Sequence, residues 1–153
     1  MKRAILTIVA LITMGGATPA HQFQKGDLVI AAPWTRATPE GATRGAGYLK
    51  ITNMGKESDR LTGGTFDGAD KVEIHEMKMN GDTMTMRELT DGLEIKPGET
   101  AEFRPGSYHL MFVGLKKPIL MGANVKGSLT FERAGSIDVD YKVDAIGATH
   151  SMQ

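Results

Sequence analysis

Hydrophobic and polar residues alternate in short segments along most of the chain beyond residue 27. The last such segment shows this most clearly: Ile137, Val139, Tyr141 and Val143 share one face, and polar residues lie between them. Alternation of this kind is typical of β-strands with one buried face. Glycine, proline and asparagine separate the segments at close intervals, and no stretch keeps a helical period over three turns. The pattern predicts an all-β sandwich or barrel in a single domain.

The individual strands follow from the same alternation and from the turn residues between segments. Residues 21–25 and the residues from about 147 onward are expected to be loose ends, the second a short flexible C-terminal tail. The segments predicted as strands are 28–32, 47–52, 60–66, 72–78, 83–89, 100–103, 108–113, 128–133 and 137–143.

The first twenty residues are expected to be a secretory signal peptide, which leaves residues 21–153 as the mature domain. Lys2 and Arg3 are followed by an uncharged apolar run over 4–14 and then by small residues. Such a run is too short to span a bilayer. Cleavage after Ala17 and cleavage after Ala20 fit equally well. The mature domain is therefore expected to be exported, without stable insertion in the membrane.

Charge and cysteine content exclude several classes of function. Without Lys2 and Arg3, 16 basic residues stand against 18 acidic ones, and no basic patch suggests a nucleic acid partner. The chain has no cysteine, which excludes a blue-copper site with its thiolate ligand, thiol redox chemistry and cysteine-based zinc sites. No nucleophile elbow or ordered Ser-His-Asp motif indicates a hydrolase. We expect a protein that is not an enzyme.

Three of the four histidines have a methionine two residues later. The three pairs are His75 with Met77, His109 with Met111, and His150 with Met152. Imidazole and thioether together form a soft donor set, and the metal that this set suits best is Cu(I). The repeated spacing therefore indicates a site for a soft metal ion.

The segments 72–78 and 83–89 are predicted to form a hairpin around Asn80-Gly81, which is a strong type I′ turn signal. A two-residue turn at that position would place His75 opposite Met86 and Met77 opposite Met84. Alternation puts His75, Met77 and Met79 on the face away from the core, together with Met84 and Met86. Methionine is common core filler, but several thioethers beside a histidine on an outward face favour metal binding.

A second set of donors is expected on the segment 108–113. Leu110 and Phe112 are predicted to face the core, which places His109 and Met111 together on the opposite face. A hydrogen-bonded, partly buried His109 without a metal is the alternative. Alternation alone leaves open whether the fold brings this strand to the hairpin.

These residues resemble the signature of the periplasmic copper chaperones of the PCu(A)C (DUF461) family. That signature is a histidine, a methionine about ten residues later, and His-x-Met about twenty-one residues beyond it. Here the second interval, from Met86 to His109, is one residue longer than usual. Further segments that resemble the family are 46–53, 72–77, 92–95, 105–111 and 129–132, and the likeness extends over roughly residues 31–143.

The resemblance implies a cupredoxin-like Greek-key β fold in the periplasm of a Gram-negative bacterium. It also implies a Cu(I) site made by His75, Met86, His109 and Met111. The implied partner is a copper-accepting protein, namely cytochrome c oxidase subunit II, where copper forms the Cu(A) centre, or its assembly factors. An electron-transfer cupredoxin and a copper-storage or resistance protein are the alternatives to a chaperone.

Four further residues are weaker candidates for metal binding. Met77 and Met84 are expected to be auxiliary thioethers beside the main site. His150 and Met152 are either a low-affinity collector of copper or part of a solvated tail. A secondary site for Cu(II) is an open alternative, and a plain β-sandwich interaction module with accidental methionine enrichment is another.

Overall fold

The computed structural model describes residues 21–152, so the predicted signal peptide lies outside the described residues. Within that range no helix is long and apolar enough to cross a membrane. The described chain is all-β, as predicted. Its strands are Gln22–Lys25 (β1), Leu28–Arg36 (β2), Arg44–Asn53 (β3), Asp59–Phe66 (β4), Lys71–Asn80 (β5), Thr83–Glu88 (β6), Leu93–Ile95 (β7), Thr100–Phe103 (β8), Tyr108–Val113 (β9), Asn124–Phe131 (β10) and Gly135–Asp144 (β11).

The strands form one sheet that curls around a single core. Its order is β6-β5-β9-β8-β3-β2-β11-β10-β4-β7, with β1 paired to β2 and a further pairing of β9 with β3. Strands far apart in this order meet in the interior: Phe66 of β4 stacks on Phe112 of β9, with ring centroids 3.8 Å apart, and the edge of Tyr141 packs against both rings. The hairpin β5–β6 forms one edge of the sheet.

Alternation along β9 fixes which side chains can form a site. Leu110 and Phe112 are fully buried in the core cluster, and neither His109 nor Met111 belongs to that cluster. On β5, Ile74 enters the core while His75 points the other way. Because successive side chains of a strand point to opposite faces, the core contacts of these two strands hold their histidines on the outer face.

The structure corrects the predicted ends of the fold. Residues 22–25, expected to be loose, pair with β2 as strand β1, in register from Gln22 with Ala31 to Lys25 with Leu28. Strand β2 extends beyond the predicted end at residue 32, because an irregularity between Ala31 and Trp34 breaks the alternation. The short strand Leu93–Ile95 was not predicted, since three residues carry too little periodicity.

The hairpin register differs from the predicted one by two residues. The two loop residues are Gly81 and Asp82, and of these Gly81 alone has a positive φ, +64°. Glycine at the first central position is what a type II′ turn requires, whereas the predicted type I′ turn at Asn80-Gly81 needs positive φ at both. The predicted pairs are therefore wrong: His75 pairs with Glu88, Met77 with Met86, and Met79 with Met84.

The residues expected to form a flexible C-terminal tail lie against strands β2 and β11. Arg36 donates from Nε to the carbonyl oxygen of Ala148 at 2.6 Å, and the backbone N–H of Met152 donates to a carboxylate oxygen of Asp144 at 3.3 Å. His150 lines a groove with Trp34 and Arg104. Together these contacts place the tail against β2 and β11, with His150 over β3 and β8 as well.

Candidate metal centre

Strands β5 and β9 are antiparallel neighbours, and their register places His75 directly opposite His109. The two imidazole rings are 5.4 Å apart between centroids and are tilted by 47°. Thirty-three residues separate the two histidines in the sequence, and the fold brings them together. Two imidazoles at this separation can both reach an ion lying between or above them.

Both imidazoles are buried even though they lie outside the hydrophobic core cluster. His75 is 6% exposed and His109 is 7% exposed. Alternation predicted the outward face correctly but did not predict that the rings are covered. Two imidazoles therefore lie side by side beneath the surface, where they are shielded from bulk water.

Glu73 orients the ring of His75. Its carboxylate oxygen lies 2.8 Å from Nε2 of His75, while Nδ1 of the same ring is buried and has no hydrogen-bond partner. A neutral imidazole that donates its Nε2 proton to a carboxylate carries its lone pair on Nδ1. Carboxylate–histidine pairs of this kind commonly fix metal-binding imidazoles. Nδ1 of His75 is therefore a free donor atom that fits a metal ion.

Charges next to the site keep the Glu73 carboxylate ionised. A hydrogen bond from the Lys71 ammonium, and a second from His75, lower the pKa of Glu73 below its ordinary value. The pKa of the Lys71 amine is raised in turn by its hydrogen bond with Glu73. Ionised Glu73 is a strong acceptor for the N–H of His75.

His109 is held in its neutral form by burial. Desolvation lowers the pKa of His109, the carbonyl of Ser107 opposes this effect, and the nearby His75 adds to it. Nδ1 of His109 lies 3.5 Å from the Ser107 carbonyl oxygen. If Nδ1–H of His109 donates to this carbonyl oxygen, the lone pair of the ring is on Nε2. Nε2 of His109 is then a second nitrogen donor for a metal.

Thioethers lie in the rows on both sides of the imidazole pair. On one side, Met77 and Met86 are cross-strand partners one row from His75. On the other side, Met111 is paired with Glu73. A register shift of two residues leaves the hairpin donors on the predicted outward face, because only an odd shift would move a strand's side chains to the other face. These donors are His75, Met77, Met79, Met84 and Met86. Met86 is a diagonal neighbour of His75 and not its direct partner.

Two carboxylates in the cluster were missed by the sequence analysis. One oxygen each from Glu73 and Glu88 lies with an imidazole nitrogen of His75 within a span of 4.8 Å. Glu73 could have been found, because it shares the outer face of β5 with His75 by alternation. Glu88 could not, since its place opposite His75 depends on the true hairpin register.

The weaker candidates divide into two groups. Met77 and Met84 lie on the hairpin, each paired with another methionine. His150 is exposed and forms a hydrogen bond through Nδ1 with Thr149 at 3.1 Å, and Met152 is anchored near Asp144. The described contacts of the tail do not bring His150 or Met152 into the row of His75 and His109.

The sequence and the fold are similar to those of known proteins. Residues 28–143 match the family described as "Putative lipoprotein LpqE-like". A relative named "Putative lipoprotein Lxx21020", from Leifsonia xyli subsp. xyli, is 29% identical over 131 residues, which are 85% of this chain and 78% of that protein. The names of both describe lipoproteins.

Solved structures match the fold over most of the chain. The copper-bound PCuAC domain from PmoF2 superposes with a TM-score of 0.69 at 28% identity, covering 82% of this chain and 98% of that domain. The apo form of the same domain superposes with a TM-score of 0.71 at 27% identity, covering 86% of this chain and 100% of that domain. The Cu(I) form of DR1885 from Deinococcus radiodurans shares the fold alone, with a TM-score of 0.64 at 19% identity over 91% and 89% of the two chains. These matches confirm the predicted cupredoxin-like architecture and the resemblance to PCuAC domains, and the chain belongs to the LpqE-like family.

Proposed function

We propose that the protein is an exported Cu(I) carrier that binds the ion with His75, Met86, His109 and Met111 and passes it to another protein. The observation that carries this proposal is the direct pairing of His75 with His109. Nδ1 of His75 is buried and free of hydrogen-bond partners, and thioethers lie in both rows that flank the pair. The copper-bound state of a PCuAC domain from PmoF2 supports the same cargo.

The donor set suits Cu(I) in particular. Thioethers are soft ligands that stabilise the reduced ion, and imidazole is a good ligand for copper. Thioethers also carry no proton near neutral pH, so they need no deprotonation before binding. Two imidazoles and two thioethers bind Cu(I) less tightly than thiolates do, which allows release to an acceptor that contains cysteine.

The two thioether ligands lie on opposite sides of the imidazole row. Met86 and Met111 are separated by four residue steps along the strand direction, about 13 Å in an extended sheet. Both sulfurs can reach one ion only if the hairpin β5–β6 folds toward β9. Few backbone bonds oppose this movement, because β9 pairs with β5 only as far as Glu76, and one further bond joins Met77 to Ser107.

The acceptor is proposed to be a copper-binding protein that meets the carrier outside the cytoplasm. The Cu(A) centre of cytochrome c oxidase subunit II, directly or through its assembly factors, is the acceptor that the resemblance to PCu(A)C chaperones implies. Transfer would proceed by ligand exchange, in which an acceptor thiolate replaces the exposed Met86 first, since Met86 is the most accessible of the four ligands.

The affinity for Cu(I) is expected to depend on pH through the histidines alone. Neutral imidazole is the binding form, and the lowered pKa of His109 delays proton competition at that ring until below about pH 6.5. Affinity should therefore change little near pH 8 and fall as pH drops toward 5. Anaerobic competition titrations with a Cu(I)-specific chromophoric chelator at several pH values measure this dependence.

A flat affinity over the whole range from about pH 8 to pH 5 would contradict ligation by histidine. Copper held only by the hairpin methionines would give such a result. The fold must be checked by circular dichroism at each pH. The pKa of His109 is lower in the folded protein than in the unfolded chain, so the unfolded chain binds a proton first and stability falls as pH drops below its histidine pKa.

A further inference from the structure

The outer part of the β5–β6 hairpin is a two-stranded ribbon with an unusual surface. Beyond Met77 it has no partner among the described strands, because β9 ends its pairing with β5 at Glu76. One face carries two cross-strand methionine pairs in adjacent rows, Met77 with Met86 and Met79 with Met84. None of these side chains belongs to the core cluster.

Core packing does not explain these side chains. Met79 is 55% exposed, Met84 is 49% exposed and Met86 is 47% exposed. Methionine in water-exposed positions contributes little to stability, and a concentration of apolar side chains on one exposed face usually marks a binding surface. What distinguishes methionine from other apolar residues is its thioether sulfur, which is a soft metal ligand.

The positions of the four methionines on the ribbon suit a single ion. Directly opposed Cβ atoms are about 5 Å apart, and adjacent rows on one face are about 7 Å apart. Four long, flexible side chains therefore project from the corners of a small rectangle. This arrangement is more compact than the inner site, where Met86 and Met111 lie about 13 Å apart along the strand direction.

We propose that Met77, Met79 and Met84 form a second, weaker Cu(I) site at the tip of the hairpin, with Met86 shared between it and the inner site. Three neutral thioethers without an imidazole or a thiolate bind Cu(I) selectively but weakly. The tip site is the more exposed of the two, so it captures the ion first. Met86 then carries the ion inward as the hairpin folds toward His75 and His109. This inference rests on the proposed function of the inner site.

The test removes the two tip sulfurs that the inner site does not use. In the variant Met79→Leu with Met84→Leu, leucine keeps the apolar surface and removes the soft donor. The matched control is Met54→Leu with Met121→Leu, which deletes two thioethers elsewhere on the surface that are more exposed than those of the tip. Cu(I) is added anaerobically as its acetonitrile complex in competition with a chromophoric chelator, and the methionine methyl groups are followed by NMR after ¹³C labelling.

The wild type and the control should bind one equivalent of Cu(I) tightly and a second equivalent more weakly. The tip variant should lose the second equivalent and keep the first with unchanged affinity. In the wild type, the methyl resonances of Met79 and Met84 should shift with the second equivalent once the first is bound. Saturation of the wild type by a single equivalent would overturn the tip site, and so would a second equivalent that survives in the tip variant.

A separate variant keeps the two proposals distinguishable. His75→Ala with His109→Ala should lose the tight equivalent and retain the weak one, because the tip donors are untouched. If the wild type binds only tightly, the tip site is wrong and the inner site stands. If the wild type binds only weakly and the histidine variant behaves identically, the proposed function of the inner site is wrong.

Discussion

Replacing His109 by alanine is expected to weaken tight Cu(I) binding by more than about 100-fold. Residues that merely orient a metal ligand commonly contribute 10- to 100-fold to affinity, and His109 is proposed to be a ligand itself. The loss should be large because the remaining imidazole of His75 would face an empty space across the strand pair, where His109 now lies 5.4 Å away between ring centroids.

The measurement is a competition titration at pH 7.5, where neutral imidazole predominates. His150→Ala is the matched control: it removes an exposed histidine that also precedes a methionine by two residues, and it should bind Cu(I) like the wild type. Because His109 is buried, circular dichroism and thermal unfolding of the apo variant must show that it folds. A folded His109→Ala protein with wild-type affinity would contradict the proposed ligand set.

Replacing Phe112 by alanine is expected to destabilise the apo protein by about 3–5 kcal/mol. Phe112 has no exposed surface, stacks on Phe66 and packs against the edge of Tyr141. The Phe112 ring packs so closely on Gly47 that a Cβ at position 47 would lie 2.4 Å from a ring atom. A loss of this size is a large share of the 5–15 kcal/mol that stabilises a typical domain.

The effect of Phe112→Ala is measured by chemical denaturation of the apo protein. Leu120→Ala is the control, because Leu120 is 65% exposed and its truncation should change stability by less than about 0.5 kcal/mol. Excess Cu(I) should restore part of the lost stability by mass action, since the ion binds the folded state. If Phe112→Ala cost less than about 1 kcal/mol, the core would not be what holds His109 and Met111 in place.

Alternation predicted the part of the site that depends on strand faces. Leu110 and Phe112 are strong core residues, so the side of β9 that carries His109 and Met111 follows from the sequence alone. The prediction that the hairpin methionines face away from the core was also correct, even though the turn is at Gly81-Asp82 and not at Asn80-Gly81. A register shift of two residues changes cross-strand partners but preserves faces.

Contacts between distant strands could not be predicted from the sequence. The pairing of His75 with His109 depends on the position of β9 next to β5, which alternation within either strand does not specify. The same holds for Glu88, whose place opposite His75 depends on a turn type that Asn80-Gly81-Asp82 leaves ambiguous. Strand β2 was predicted too short because the irregularity after Ala31 interrupts its period.

X-ray absorption of the protein loaded with one equivalent of Cu(I) tests the central claim most directly, because it counts sulfur and nitrogen donors around the ion. The proposed ligand set predicts a mixed shell of imidazole nitrogen from His75 and His109 and thioether sulfur from Met86 and Met111. A shell made of sulfur alone, or of nitrogen and oxygen without sulfur, would contradict it.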